Sequence, residues 1–178
     1  MADTAQDRIA FLKGLRAVRN FRPDPVPQEA LDDILQVARW SGSASNRQAW
    51  SFLVLRNRET LQALAKVSPN AAHAANAPLA VVLVLDGDPE RLVHETYDDG
   101  RLSERIMLAA DAHGLGSCIG WFRPETMAAA KDLLGIPQEK LVRTVISIGY
   151  PDEEAQRARP KPAQARKPLS ELVHEERY

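Results

Sequence analysis

S-G-S-A-S-N-R-Q-A-W-S-F-L-V-L, residues Ser41–Leu55, changes character halfway along. Its first half is crowded with Ser, Asn and Gln and opens near a glycine, a composition that favours a loop. Its second half ends in the apolar run Phe52-Leu53-Val54-Leu55, which reads as a strand. Immediately upstream, from Gln28 on, Leu31, Ile34, Leu35 and Ala38 recur at helical spacing, so a helix is expected to end around Gly42. Helix, polar loop and strand in that order begin an α+β domain. A loop of this kind, fixed by the strand behind it, is also suited to a flat polar heterocycle. Its amides can pair with ring edges and its hydroxyls with nearby carbonyls. Most loops of this composition have no such role, so the segment gains weight only from others.

Working outward, Thr4 and Asp7 form a capping-box pattern that opens an amphipathic helix through Ile9, Phe11, Leu12 and Leu15. Pro23, Pro25 and Pro27 alternate and force extended backbone. Downstream, residues 59–66 read as a short helix and Leu79–Leu85 as a fully buried strand ending at Asp86-Gly87-Asp88. A longer helix is expected from Asp99 to His113, broken by Gly114-Leu115-Gly116. Pro124 suits the first turn of a helix ending at Gly135, and residues 141–148 form a β-branched strand. Residues 151–167, with prolines and many charges, are expected to run extended over a surface; residues 168–178 regain order-competent sequence. The pattern predicts one α+β domain over residues 1–178 with one central sheet.

The chain has 178 residues, 44% of them hydrophobic and 26% charged, with a net charge of −1. That length can bury a substantial core, and the balance of charge argues against nucleic acid as a partner. No apolar run reaches the roughly 18 residues of a membrane span. The start of the chain lacks the basic and apolar regions of a secretory signal, and one cysteine, Cys118, suits a reducing cytoplasm. The four histidines have no Cys or carboxylate at ligand spacing, so no metal site is read.

Three further segments could carry chemistry. Arg16 and Arg19 lie three residues apart at a helix end and could fork onto one phosphate, although an arginine there also simply complements the helix C-terminus. Gly114–Trp121 has G-x-G-x-x-x-G spacing after a helix, which excludes a Rossmann turn and leaves a small-residue strand open to close approach. Cys118 in that stretch has no adjacent Lys, Arg or His, so it should stay a thiol. Arg166-Lys167 closes the proline-rich reach as a basic pair.

Taken in order, Arg16–Phe21, Ser41–Trp50, Gly114–Gly120, Leu134-Gly135-Ile136-Pro137, Ile148-Gly149-Tyr150-Pro151 and Arg166–Leu169 resemble the motifs of the flavin-dependent nitroreductase superfamily, from about Ala10 to Val173. The family patterns are R-R-S-x-R-x-F, P-S-x-x-N-x-Q-P-W, G-L-G, L-G-I-P, G-Y-P and R-K-P-L. Leu15 and Ala17 stand where the first pattern has arginine and serine; Gly42 and Ala49 replace the two prolines of the second.

The resemblance implies a mostly antiparallel central sheet flanked by helices. It also implies a homodimer that exchanges its C-terminal arm, residues 168–178, with flavin mononucleotide (FMN) at the interface and NADH or NADPH as co-substrate. Trp40, Trp50 and Trp121 are available for that interface. Arg16, Ala17, Arg19 and Arg166 would surround the phosphate, with Arg19 alternatively at the N1–C2=O edge of the ring. Ser43, Asn46 and Gln48 would meet ring edges or ribityl hydroxyls, and Ser117, Ile119 and Gly120 would lie against the ring. The implied activity is ping-pong hydride transfer through N5 to a nitroaromatic, quinone or related acceptor, with no protein nucleophile required. The alternative is a flavin-binding protein without turnover, for storage, sensing or flavin degradation.

Overall fold

Thr4 does cap the first helix. Its hydroxyl accepts from the Asp7 amide, and the Asp7 carboxylate accepts from the Thr4 amide at 2.9 Å. The computed structural model, which describes residues 4–160 and 166–178, runs this helix, α1, over Ala5–Gly14. The expected amphipathic packing is absent within the chain: Ile9, Phe11 and Leu12 are exposed and α1 buries no residue. Helix α2 (Gln28–Arg39) instead buries Ala30, Leu31, Ile34 and Ala38 on one stripe.

Strand β1 (Trp50–Leu55) leads to α3 (Arg58–Val67), capped by Asn57, and a 3₁₀ stretch over Pro69–Asn76. Then come β2 (Leu79–Leu85), α4 (Leu92–Ala112), β3 (Gly116–Trp121), α5 (Pro124–Leu134) and β4 (Leu141–Gly149). The sheet order is β1-β2-β4-β3, and every pairing is antiparallel. Gly114 and Gly135 end α4 and α5 with φ of +69° and +67°, conformations that favour glycine.

Both faces of the sheet are covered, which is why β2 reads as an unbroken apolar run. Leu79, Val81, Leu83 and Leu85 face α2 and α4, while Ala80, Val82 and Val84 face α3, α5 and the 3₁₀ stretch. Burying a side chain such as Ile34 or Leu102 contributes roughly 1.5–3 kcal/mol. Trp50 packs against the α2/α4 core, whereas Trp40 and Trp121 are exposed.

Two boundaries differ from expectation. Helix α4 begins at Leu92, seven residues ahead of Asp99. Within the segment expected to be extended, Glu153–Arg157 forms a short helix, α6, because the Asp152 side chain accepts from the Ala155 amide. Residues 161–165 of that segment, and residues 1–3, lie outside the described residues. The C-terminal arm contains a 3₁₀ turn over Leu169–Glu171.

Candidate functional site: two concavities and a strained loop

The chain leaving α1 is added to the sheet without becoming a named strand. Ala17 bridges Ser117 in parallel and Phe21 bridges Pro151 in antiparallel, with the Val18 amide donating to the Ser117 carbonyl at 2.8 Å. Gln156 on α6 holds the same stretch from its other edge, donating to the Ala17 carbonyl and accepting from the Arg19 amide. Leu15 packs on the α2/α4 core, so this departure from the arginine pattern fills a packing position.

This segment forms one wall of a concavity of about 600 Å³. Arg16, Ala17 and Arg166, which are 150 residues apart in sequence, meet there. Lys13 from α1 and Glu104 from α4 also line it. The Arg16 guanidinium is fixed: its Nη1 donates to the carbonyls of Lys13 at 2.7 Å, Gly14 at 3.2 Å and Leu15 at 2.8 Å. Arg16 thus caps the end of α1 and also lines a cationic hollow. Arg19 does not line it. Its charge acts instead on His73 and Cys118, on the other face of the sheet, together with that of Arg159.

The Ser41–Trp50 loop builds a second concavity, of about 370 Å³, with no lining residue in common with the first. Asn46 and Gln48 line it, with Arg39, Trp40, Ser41 and Gly42. Ser45, Asn46 and Gln48 have φ of 53°, 52° and 52°. Non-glycine residues rarely adopt that region, and such strain persists only where surroundings impose it. Here the imposing bonds are visible. The Gln48 amide donates to Ser43 Oγ at 2.9 Å, the Asn46 amide to the Ser43 carbonyl, and Gln48 Nε2 to Asn46 at 3.3 Å. Ser43 thus supports the loop from within and does not line the concavity.

Behind the loop, Arg47 pairs with Asp88 at 3.8 Å, and the turn carrying Asp88 is held by Glu95, which accepts from the amides of Gly87 and Asp88. A Cβ on Gly42 would fall 2.5 Å from Nη2 of Arg101, which crosses the position where the family pattern has proline. The Ser41 hydroxyl is buried without a hydrogen-bond partner among the described residues.

Strand β3 divides its residues by parity. Ser117 and Ile119 face α2 and α4; Ser117 Oγ is buried and, among the described residues, unpartnered. Cys118 and Gly120 face the other way, toward the 3₁₀ stretch. A Cβ on Gly120 would come within 2.6 Å of the Asn70 carbonyl and 2.9 Å of His73 Nε2, so that side of Gly120 is filled by protein. His73 Nδ1 is hydrogen-bonded to Ser147 Oγ at 2.8 Å. Burial first, then the Arg19 charge, depress the His73 pKa to about 4. Burial also pushes the Cys118 thiol up, against weaker opposing pulls from Arg19 and Arg159.

Sequence reasoning missed Lys13, Arg39, Trp40, Ser41, Arg101 and Glu104. Ser41, which opens the polar loop, and Trp40, set aside for an interface, carried a local signal; Lys13, Arg39, Arg101 and Glu104 reach the hollows and the loop only through the packing of α1, α2 and α4. Among the described residues no His, Cys, Asp and Glu cluster could hold a metal, and no helix is long and apolar enough to cross a membrane.

Comparison with known proteins agrees with this architecture. A model described as the nitroreductase family matches residues 12–88. A protein of Archaeoglobus fulgidus, whose name joins NADH dehydrogenase to NAD(P)H nitroreductase, is 34% identical over 143 residues, covering 78% of this chain and 82% of the relative. The NADPH-flavin oxidoreductase of Vibrio harveyi is 27% identical over 177 residues, covering 92% and 71%. The solved structure of an FMN-dependent nitroreductase from Clostridium difficile superposes with a TM-score of 0.81 at 28% identity, covering 96% of this chain and 99% of that one. On the sequence identities, the coverage and the shared fold, the chain belongs to the nitroreductase family.

Proposed function

We propose that the protein is an FMN-dependent NAD(P)H oxidoreductase that works as a homodimer and passes electrons to a nitroaromatic, quinone or related acceptor by a ping-pong route. The observation that carries this reading is the sorting of donors into two concavities. One holds Lys13, Arg16 and Arg166, suited to a phosphate; the other holds Asn46 and Gln48 beside the buried, unpartnered Ser41 hydroxyl, suited to a ring edge. This donor set fits FMN. Because the two hollows share no lining residue, the arrangement also favours a site completed by a second copy of the chain.

The names of the flavin-dependent relatives support the same cofactor, and the NADH- and NADPH-linked names support the same electron donor. When bound, the flavin supplies the hydride chemistry, taking a hydride from the nicotinamide and returning electrons to the acceptor. The chain's own task is binding and orientation. Arg16, immobilised by three carbonyls, offers its remaining N–H groups to the phosphate without losing side-chain freedom on binding. The strained Ser45–Gln48 backbone holds two amides in a fixed geometry for a ring edge. Ser117, Ile119 and Gly120 are assigned to the ring's neighbourhood, although the Ser117 carbonyl already accepts from the Val18 amide and the Gly120 flank is closed by Asn70 and His73.

Purified protein should be yellow, and NADH or NADPH should bleach it anaerobically, with colour returning on addition of a nitroaromatic or quinone. A yellow protein that neither nucleotide bleaches would replace this reading with flavin storage or sensing. A colourless protein that fails to take up FMN would remove both.

A further inference from the structure

Lys13 and Glu104 line the first concavity, yet the family motifs quoted above include neither. Lys13 sits in the last turn of α1, and Arg16, just past the helix end, folds back to donate to its carbonyl, so both reach the same hollow. Among the described residues neither Lys13 nor Arg166 has a hydrogen bond or ion pair. Arg16 is committed in part to the α1 carbonyls. Leu15, at the position where the family pattern has a further arginine, packs on the core. Among the described residues the hollow therefore has two cations without a partner and one anchored cation facing one carboxylate. Its net charge of two positive units matches a phosphate monoester, which carries about −1.5 to −2 at neutral pH. Without Lys13, half of that excess would vanish.

We infer that Lys13 is a phosphate-binding residue that replaces the arginine lost at Leu15, and that Glu104 trims the charge of the hollow to that of a monoester. The inference rests on the FMN reading above. An ammonium on a flexible four-carbon stem is less directional than a guanidinium, so it can meet the phosphate from the α1 side while Arg166 meets it from the chain's other end. Glu104 keeps the hollow from attracting more highly charged anions, at some cost in affinity for FMN itself.

Titration of FMN and of riboflavin into the full-length protein, read by quenching of flavin fluorescence, tests this. Riboflavin lacks only the phosphate, so it reports the remainder of the site. Lys13→Met should weaken FMN binding by about tenfold, the lower end for a charge-assisted bond, and leave riboflavin binding unchanged. Lys13→Arg should restore FMN binding, and Glu104→Gln should tighten it several-fold without affecting riboflavin. If Lys13→Met binds FMN like wild type, or loses FMN and riboflavin equally, the inference is overturned while the cofactor reading stands. If wild type binds neither flavin, both fall. Weaker FMN binding by Glu104→Gln would overturn the part assigned to Glu104.

Discussion

Cys118 and His73 lie on one face of the sheet, close to the same two arginines, and both are kept uncharged by burial. For Cys118 the sequence offered no neighbouring cation, and folding supplies Arg19 and Arg159 after all, but desolvation outweighs them and the thiol stays protonated at neutral pH. A thiol nucleophile needs the thiolate. Cys118→Ala should therefore keep both flavin reduction by NAD(P)H and reoxidation by acceptor, which stopped-flow traces of each half-reaction would check; loss of turnover with FMN still bound would demand a thiol mechanism. His73 has a pH signature of its own. Its folded pKa is about 4 against an ordinary 6.5, so between those values the unfolded chain holds more protons than the folded one. Stability should consequently fall as pH drops from 6.5 toward 4. Urea midpoints measured across that window should show the decline, and His73→Gln should flatten it; a His73→Gln protein with an unchanged slope would show that other groups titrate there. The sequence predicts the thiol, but for want of a neighbouring cation rather than from burial; it does not predict the His73 shift, because Arg19, Arg159, His73 and Cys118 are brought together only by the tertiary fold. Asn46 and Gln48 line the second concavity, a placement that the local pattern of a polar loop feeding a strand suggests, whereas Ser43 does not line it and its hydroxyl accepts from the Gln48 amide.

Gly120 decides how closely the 3₁₀ stretch over Pro69–Asn76 can approach β3. With a Cβ it would meet the Asn70 carbonyl at 2.6 Å, a contact that backbone cannot relieve by rotating. Gly120→Ala should then cost about 1–3 kcal/mol, the range for overpacking a closed interface, as a shift in urea midpoint. If stability stayed at the wild-type value while FMN binding fell, Gly120 would belong to the flavin side rather than to packing. The same contrast explains which elements the sequence disclosed. Strands β2 and β4 and helices α2 and α5 follow from apolar period, proline and glycine, all local signals. The early part of α4 did not, because its buried residues include the acids Glu95, Asp98 and Asp99. They are tolerated inside because Glu95 accepts from the Gly87 and Asp88 amides, Asp98 lies 3.9 Å from the Arg101 guanidinium, and Asp99 accepts from Thr144 Oγ1 at 2.7 Å. Apolar periodicity cannot register a helix that packs through carboxylates. Helix α6 was missed for a simpler reason: a single Asp152 cap outweighs the charge and proline around it.

Two apolar surfaces are left without cover in a single chain. Ile9, Phe11 and Leu12 stand exposed on α1, and Leu169, Leu172 and Val173 stand exposed on the C-terminal arm, Leu169 at 75%. Isolated exposed apolar residues need no explanation, but clusters on a helix and on an arm that follows a long reach mark an interface. In a closed two-fold assembly each arm would cross to the other copy, so both surfaces would be covered by one symmetry operation. The dimer proposed above thus accounts for the helix that buries nothing as well as for the split cofactor hollows. Ending the chain at Pro160 removes the arm and Arg166 together, and the expected product is aggregated or free of flavin. Full-length Arg166→Ala separates the two losses: it should remain a dimer by sedimentation while binding FMN tenfold to a hundredfold more weakly, about 1.5–3 kcal/mol for a charge-assisted contact. A monodisperse, yellow monomer from the shortened chain would place the arm elsewhere. It would also leave the exposed face of α1 to some partner other than a second copy of this protein.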